Sequence, residues 1–235
     1  MRFEGLSGLT VDDAKKEMCL VDRRCTSERP IVEDVLVRDE LVLQGNLYDH
    51  GYAAAKLEKT LVQDTLQGTL FTFRVLEGPR FRVSSIEVAE TTPLPHRAPK
   101  LTIPPVETKK GAWFSRRTLA EDRSRIERVF RDAGYGKADV LPQVDLDLEQ
   151  AEIAVRVVIS RGVPITIARI RTPNGPSSLV LEKCTKLGLL PGSLFNESKL
   201  LELKRALEGS HPDVAVAILD VEGHPDQVEV SVELP

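Results

Sequence analysis

The sequence predicts an α+β fold: three tandem small domains, each a three-stranded sheet covered on one face by two helices. Three observations carry that prediction. The first is an internal repeat. Ile31, Leu36, Asp39, Leu43, Leu47, Asp49, Gly51, Tyr52 and Ala55 recur as Phe114, Leu119, Asp122, Ile126, Phe130, Asp132, Gly134, Tyr135 and Ala138, each 83 residues later. Phe73, Val75, Gly78, Phe81, Val83 and Ile86 recur as Val157, Ile159, Gly162, Ile165, Ile167 and Ile170, 84 residues later. A period of ~80 residues marks tandem units, and the 235-residue chain holds three. The second is helical spacing that stops at glycine. Leu119, Ile126, Val129 and Phe130 follow the spacing of one helix face, and Gly134 supplies the positive φ that ends a helix. The third is strict alternation in the last strand of each unit. Val228, Val230, Val232 and Leu234 alternate with Glu229, Ser231 and Glu233, as in a sheet with one buried face.

The units fall at residues 1–79, 80–164 and 165–235, and each reads strand, helix, helix, strand, strand. In the first, Leu36, Leu43 and Leu47 define a helix that Gly51 closes, and Phe71, Phe73 and Val75 alternate along the final strand. In the second, the stretch 91–110 is an insertion carrying Pro93, Pro95, Pro99, Pro104 and Pro105. Prolines at that density forbid a regular helix, so the first helix of this unit is expected to be lost to an irregular loop or a residual turn. Ser115 then caps the second helix, and Ile153, Val155, Val157 and Ile159 alternate in the last strand. In the third, a strand over 165–171 precedes helices over 179–190 and 195–207 and strands over 214–219 and 228–234. Gly223-His224-Pro225-Asp226 reads as the turn between the two paired strands. This unit lacks the Gly-Tyr pair, and its second helix is shorter by a turn or more.

Composition removes several function classes. Hydrophobic residues are 41% and charged residues 29%, an ordinary globular balance. Net charge is −4 with both signs interleaved, so there is no basic footprint for nucleic acid or anionic lipid. Aromatics at 5% leave no base-stacking platform. No apolar run approaches the ~20 residues of a membrane-spanning helix. The opening Met1-Arg2-Phe3-Glu4-Gly5 lacks the apolar stretch of a secretory leader, so the chain reads as cytoplasmic or as an internal piece of a longer protein. Three cysteines cannot form a closed disulfide framework. Cys19 and Cys25 either bridge in an oxidising compartment or stand as two half-buried thiols, and Cys184 reads as a buried apolar helix residue.

The punctuation of the repeats carries a family resemblance. The first unit has Asp49-His50-Gly51-Tyr52, a strand, a second strand ending Glu77-Gly78-Pro79, and at once a new strand from Phe81. The second has Asp132-Ala133-Gly134-Tyr135, then Arg161-Gly162-Val163-Pro164, then a strand from Ile165. This resembles POTRA domains, the repeats that form the periplasmic arm of outer-membrane barrel assembly and translocation proteins of the BamA and TamA type, the surface antigen family. Gly51, Tyr52, Gly78, Pro79, Gly134, Tyr135, Gly162 and Pro164 are the structural motif positions. The resemblance implies a periplasmic protein-binding arm, joined to the membrane only through a C-terminal barrel outside this sequence. It implies unfolded outer-membrane polypeptides and accessory assembly proteins as partners. Two alternatives are the arm of a dedicated secretion barrel and a structural spacer with no peptide affinity.

A three-stranded sheet cannot close, so its edge strands keep unpaired backbone donors and acceptors. Such edges accept an extended peptide as an added strand with little sequence demand, which suits many unfolded clients. The resemblance implies that the second strand of each unit lies at an edge. Pro142 supports this independently, because proline inside a strand is confined to edges or bulges. Pro142 also weakens docking on the second unit. The candidate docking edges are therefore 55–63, with Ala55, Lys56, Leu57, Glu58, Lys59 and Thr60, and 214–219, with Val214, Ala215, Val216, Ala217 and Ile218.

Other signals are weaker. His211-Pro212-Asp213 and His224-Pro225-Asp226 repeat a co-chaperone tripeptide, but one precedes a strand and the other sits at a hairpin, where turn chemistry accounts for them. His50, His96, His211 and His224 have no metal-ligand spacing. No Gly-x-Ser-x-Gly and no phosphate-cradling glycine loop occurs. Asp145 and Asp147 read as turn chemistry. The arginines at 116, 117, 123, 125, 128 and 131 read as one salt-bridged helix face. Tyr52 and Tyr135 are expected to pack between helix end and sheet. The sequence thus supplies no catalytic, cofactor-binding or metal-ligating set, and a non-enzymatic binding module is expected.

Overall fold

The structure, a computed structural model, describes residues 1–21, 33–66, 68–91, 99–173 and 177–234. It contains three sheets, one for each repeat. The chain forms two compact units: Met1–Glu87 with Val106–Asp122 and Gln143–Arg156, and Val88–Pro105 with Arg123–Pro142 and Val157–Pro235. Each unit takes a flanking sheet and part of the middle repeat, so each link between successive repeats lies inside one unit.

In the first sheet β4 (Gly68–Leu76) is central. β1 (Arg2–Glu4) pairs with it in parallel, Phe3 opposite Phe73. β2 (Lys56–Leu57) and β3 (Leu61–Thr65) pair with it antiparallel on the other side. α1 (Val11–Lys15) is capped by Thr10, whose hydroxyl accepts from the Asp13 N–H at 3.1 Å. α2 (Glu33–Asp49) buries Leu43 and Leu47, as the spacing predicts, against Met18, Tyr52, Phe73 and Val75. Its buried face also carries Asp39 and Asn46. Asn46 is there because its amide donates to the carbonyls of Ala14 (3.2 Å) and Lys16 (2.8 Å) at the end of α1.

The middle sheet has the order β5 (Arg82–Glu90), β7 (Glu152–Ser160), β6 (Asp139–Asp147). Among the described residues 99–115 there is no helix, in line with the proline argument; Pro93 and Pro95 lie outside the described residues. α3 (Arg116–Asp132) follows, with the Ser115 hydroxyl accepting from the Thr118 N–H at 3.2 Å. Pro142 does not interrupt its strand: β6 runs through it at the edge of the sheet.

In the third sheet β10 (His224–Glu233) is central, parallel to β8 (Thr166–Arg171) and antiparallel to β9 (Ala215–Val221). α4 (Ser178–Leu187) and α5 (Glu197–Glu208) supply Val180, Cys184, Leu200, Leu203 and Leu207 to a core with Ile167, Val228, Val230 and Val232. The hairpin turn differs from expectation. His224 already pairs with Val221, and the register shifts before Val228. The turn is therefore Glu222-Gly223, with Gly223 at φ 75°, and Pro225 sits in a bulge where its missing N–H costs no ladder bond. Glu229, on the outer face, is buried all the same, paired with the exposed side chains of Arg169 and Arg171.

Candidate functional site: the open sheet edges

The two edges of a sheet are not equivalent here. The start of β5 is covered by its own chain. Val83 donates to the Ala112 carbonyl (2.9 Å), Gly111 donates to Val83 (2.7 Å), and Arg82 bridges Trp113. β8 is covered in the same way: Ile167 donates to Ser193 (2.9 Å), Gly192 donates to Ile167 (2.7 Å), and Thr166 bridges Leu194. A loop lying along an edge occupies its hydrogen-bonding groups. The second strands, β3, β6 and β9, are each paired on one side only among the described residues.

β9 presents the longest run without proline. Val214, just before it, is buried; Val216 is half-buried; Ala215, Ala217 and Ile218 are exposed, Ile218 at 49% and its neighbour Leu219 at 42%. The first-repeat edge is not the single strand that 55–63 implies. Leu57 lies opposite Val75, but Leu61 lies opposite Thr72, so one extra residue bulges out between them. Ala55 is buried in the core and Thr60 is 7% exposed, its N–H and hydroxyl both donating to Glu40 Oε1 at 3.3 and 2.5 Å. Lys56, Glu58 and Lys59 are exposed and Leu57 is half-buried around the bulge. The continuous open edge is instead β3, Leu61–Thr65, exposed at every residue. β6 also exposes Leu141, Val144 and Leu146.

The motif positions do structural work. Gly51 and Gly134 take φ of 95° and 100°, Gly78 and Gly162 take 68° and 71°. Tyr52 and Tyr135 are buried.

Two buried charge devices, not assigned a role from the sequence, hold the loops that precede the long helices. The Asp39 carboxylate accepts from the N–H groups of Cys19 (2.6 Å) and Leu20 (2.8 Å). The Asp122 carboxylate accepts from the N–H of Glu107 (2.7 Å) and from the N–H and hydroxyl of Thr108 (2.9 and 2.7 Å). Their 83-residue offset was the available signal. The second device inverts its charge between repeats. Burial pushes the Glu77 carboxyl up, but the Ser7 hydroxyl and the N–H groups of Leu9 and Gly8 outweigh it and hold the group below its ordinary value. At the matching position Arg161, 3% exposed, donates to both oxygens of Glu90 (2.7 and 3.0 Å), to the Pro99 carbonyl (2.8 Å) and to Tyr135 (3.3 Å). Burial lowers its basicity, and the hydrogen bonds to Glu90 and Tyr135 raise it above the usual arginine value.

The remaining sequence signals fall outside any site. Asp147 accepts from the N–H groups of Glu149 (3.0 Å) and Gln150 (2.9 Å), which is turn chemistry. Arg123 and Arg131 pair with Glu127 along α3. Cys19 is disulfide-bonded; Cys25 lies outside the described residues, as does His96. Cys184 is a free, buried thiol. Among the described residues no cluster of three His, Cys, Asp or Glu is placed to hold a metal, and no helix is long and apolar enough to cross a membrane.

Comparison with known proteins agrees with the fold. Residues 101–162 match the POTRA family, surface antigen variable number repeat. The outer membrane protein assembly factor BamA of Nitratidesulfovibrio vulgaris is 23% identical over 239 residues, a match that takes in all of this chain and 30% of that protein. The chain thus spans about a third of the length of this curated relative. The crystal structure of Haemophilus influenzae BamA POTRA3-5 superposes with a TM-score of 0.70 at 18% identity, over 99% of this chain and 93% of that one. BamA from Haemophilus ducreyi lacking POTRA domains 1-3 gives 0.52 at 18% identity, over 66% of this chain and 29% of that one. Residues 101–162 thus match a surface antigen variable number repeat, and the chain as a whole has the fold of the BamA POTRA repeats.

Proposed function

We propose that this region is the periplasmic arm of an outer-membrane barrel-assembly protein, non-enzymatic, and that it receives unfolded outer-membrane polypeptides and docks accessory proteins by strand addition. The observation that carries this reading is the asymmetry of the edges. The starts of first strands β5 and β8 are covered by their own loops, while β9 and β3 expose backbone together with Ile218, Leu219, Leu61 and Val62. Main-chain pairing supplies affinity with little sequence demand, and half-exposed apolar side chains supply a hydrophobic contact. β9 is the first choice, because it has neither a bulge nor a proline; β3 follows, and β6 is weakened by Pro142.

The test is an NMR titration of the full 235-residue chain with a synthetic peptide carrying the alternating pattern of a barrel strand. Strand addition protects alternate amides, because successive residues of a strand point their hydrogen-bonding groups to opposite sides. New protection at every second residue of Ala215–Val221 supports the proposal. Binding whose shifts avoid β9, β3 and β6, or no binding at all, refutes it.

A further inference from the structure

We infer that Asp-x-Gly-Tyr is the receiving half of a joint between repeats, and that its ligand is the first strand and helix N-terminus of the repeat that follows. The inference does not depend on strand addition at the edges. It rests on one constellation that occurs twice.

At the end of α2, Asp49 accepts from the Arg117 N–H at 2.8 Å, in the first turn of α3 of the next repeat. Its oxygens also receive the Arg116 and Arg117 Nε at 3.3 and 3.2 Å. At the end of α3, Asp132 accepts from the Ser198 N–H at 2.8 Å and the Ser198 hydroxyl at 2.7 Å, in the first turn of α5. Asn196, the N-cap of α5, donates its amide to the Asp132 carbonyl at 2.8 Å. The aspartate at the end of one helix thus satisfies orphan amides at the start of another.

The glycine completes the socket. The Gly51 carbonyl accepts from Phe81 (2.8 Å) and the Gly134 carbonyl from Ile165 (2.7 Å), in each case the residue just before the next repeat's first strand. Phe81 and Ile165 in turn accept from Phe114 (3.0 Å) and Phe195 (2.9 Å), just before the next helix. A Cβ on Gly51 would lie 3.2 Å from the Phe114 carbonyl oxygen, and one on Gly134 would lie 3.1 Å from the Leu194 side chain. The glycine is therefore required by the incoming repeat as well as by its own positive φ.

The third repeat lacks this socket. After α5 the His211 N–H returns to Leu207, four residues back, whereas Tyr52 and Tyr135 return five residues, to Leu47 and Phe130. One residue is missing, and no residue of this turn takes a positive φ as Gly51 and Gly134 do. Counting from the buried helix residue, Gly209 also stands where Asp49 and Asp132 stand. The third repeat is thus unable to receive a further repeat through this joint.

Amide hydrogen exchange on the full chain tests the joint, comparing wild type with Asp132→Ala and Asp49→Ala. Loss of a capping carboxylate is worth about 0.5–2 kcal/mol, so the Ser198 amide should exchange about two- to thirtyfold faster in Asp132→Ala. The Ile165 and Phe195 amides, which do not touch Asp132, should accelerate with it. In Asp49→Ala the Arg117, Phe81 and Phe114 amides should respond, and Ser198 should not. If Ser198 alone changes, Asp132 is a helix cap and the joint is refuted; an unchanged Ser198 refutes it too. Should Asp132→Ala fail to fold, Ser198→Ala, which removes only the hydroxyl bond, reads the same Ile165 and Phe195 amides.

Discussion

Replacing Asp122 by alanine should unlock the irregular segment that stands where the middle repeat lacks a first helix. Asp122 is 1% exposed and receives three hydrogen bonds from Glu107 and Thr108. Thr108 is itself buried. A bond to a charged group contributes ~1.5–3 kcal/mol, but neighbouring losses do not sum, and removing the carboxylate also removes the cost of burying it. The expected loss is about 2–4 kcal/mol, a large share of the ~5–15 kcal/mol that holds a domain. Trp113 is the one tryptophan of the chain, with the Arg80 and Arg82 guanidinium groups 4.3 and 3.8 Å from its ring centroid, five residues after Thr108. Its fluorescence therefore reports this segment even where the repeats do not unfold together. With a urea slope of ~1–3 kcal/mol/M, the Trp113 midpoint should fall by about 1–2 M. The counterpart Asp39→Ala should cost less, because Asp39 accepts two backbone bonds where Asp122 accepts three bonds from Glu107 and Thr108. A Trp113 midpoint unchanged in Asp122→Ala, or a larger loss in Asp39→Ala than in Asp122→Ala, would refute the reasoning.

Three further outcomes follow from the same contacts. Arg161→Met should destabilise the middle repeat by about 3–5 kcal/mol, because it strips Glu90 of its buried partner, and adding Glu90→Leu should recover part of that loss in a double-mutant cycle. Glu77 has a folded pKa below its ordinary 4.5, so its contribution is complete above that value and is lost as pH falls through the folded pKa. The melting-temperature gap between wild type and Glu77→Gln should accordingly be constant near neutrality and close on acidification; a gap that widens in acid would contradict the assignment. Burial raises the Cys184 thiol pKa, so a thiolate-selective reagent should label Cys184 only after denaturant is added, as read by mass spectrometry of the labelled peptide.

The fold was legible where periodicity carries physical meaning. Leu43, Leu47, Ile126 and Phe130 are all fully buried, and the glycines at 51 and 134 do take positive φ, because helix faces and helix ends leave local marks. The proline density of 91–110 was equally local. What escaped were features that depend on two distant segments meeting. The bulge between Leu57 and Leu61 follows from register against β4, and nothing in Glu58-Lys59-Thr60 announces it. Asp39 and Asp122 fall on the apolar helix face by spacing, but the backbone amides they bind are supplied by a loop far off in sequence. Leu203, buried in α5, belongs to the repeat whose first helix α4 is regular. Glu229 follows the outward alternation correctly and is still buried, paired with Arg169 and Arg171 of the neighbouring strand β8. The polar hairpin 223–226 pointed to a turn, but the turn tightened to Glu222-Gly223 and left Pro225 in a bulge.

Strand addition, as proposed for β9, sets its own affinity. Ordering a seven-residue client segment costs ~1–2 kcal/mol per residue, about 7–14 kcal/mol in total. Main-chain pairing along Ala215–Val221 returns on the order of seven hydrogen bonds at ~0.5–1.5 kcal/mol each, about 3.5–10.5 kcal/mol in total, which falls short of that cost over most of the two ranges. Backbone pairing therefore fixes the geometry of docking and leaves the sign of the free energy to side chains. Ile218 and Leu219, both about half exposed and on opposite faces of the strand, are the groups able to tip it. A client strand that is apolar on at least one face gains ~1.5–3 kcal/mol for each large side chain it covers, whereas a polar strand gains nothing. An edge that worked in the proposed way would hold many alternating barrel strands weakly, release each of them, and gain little from a polar chain. Selectivity for the class of client then needs no pocket and no sequence code.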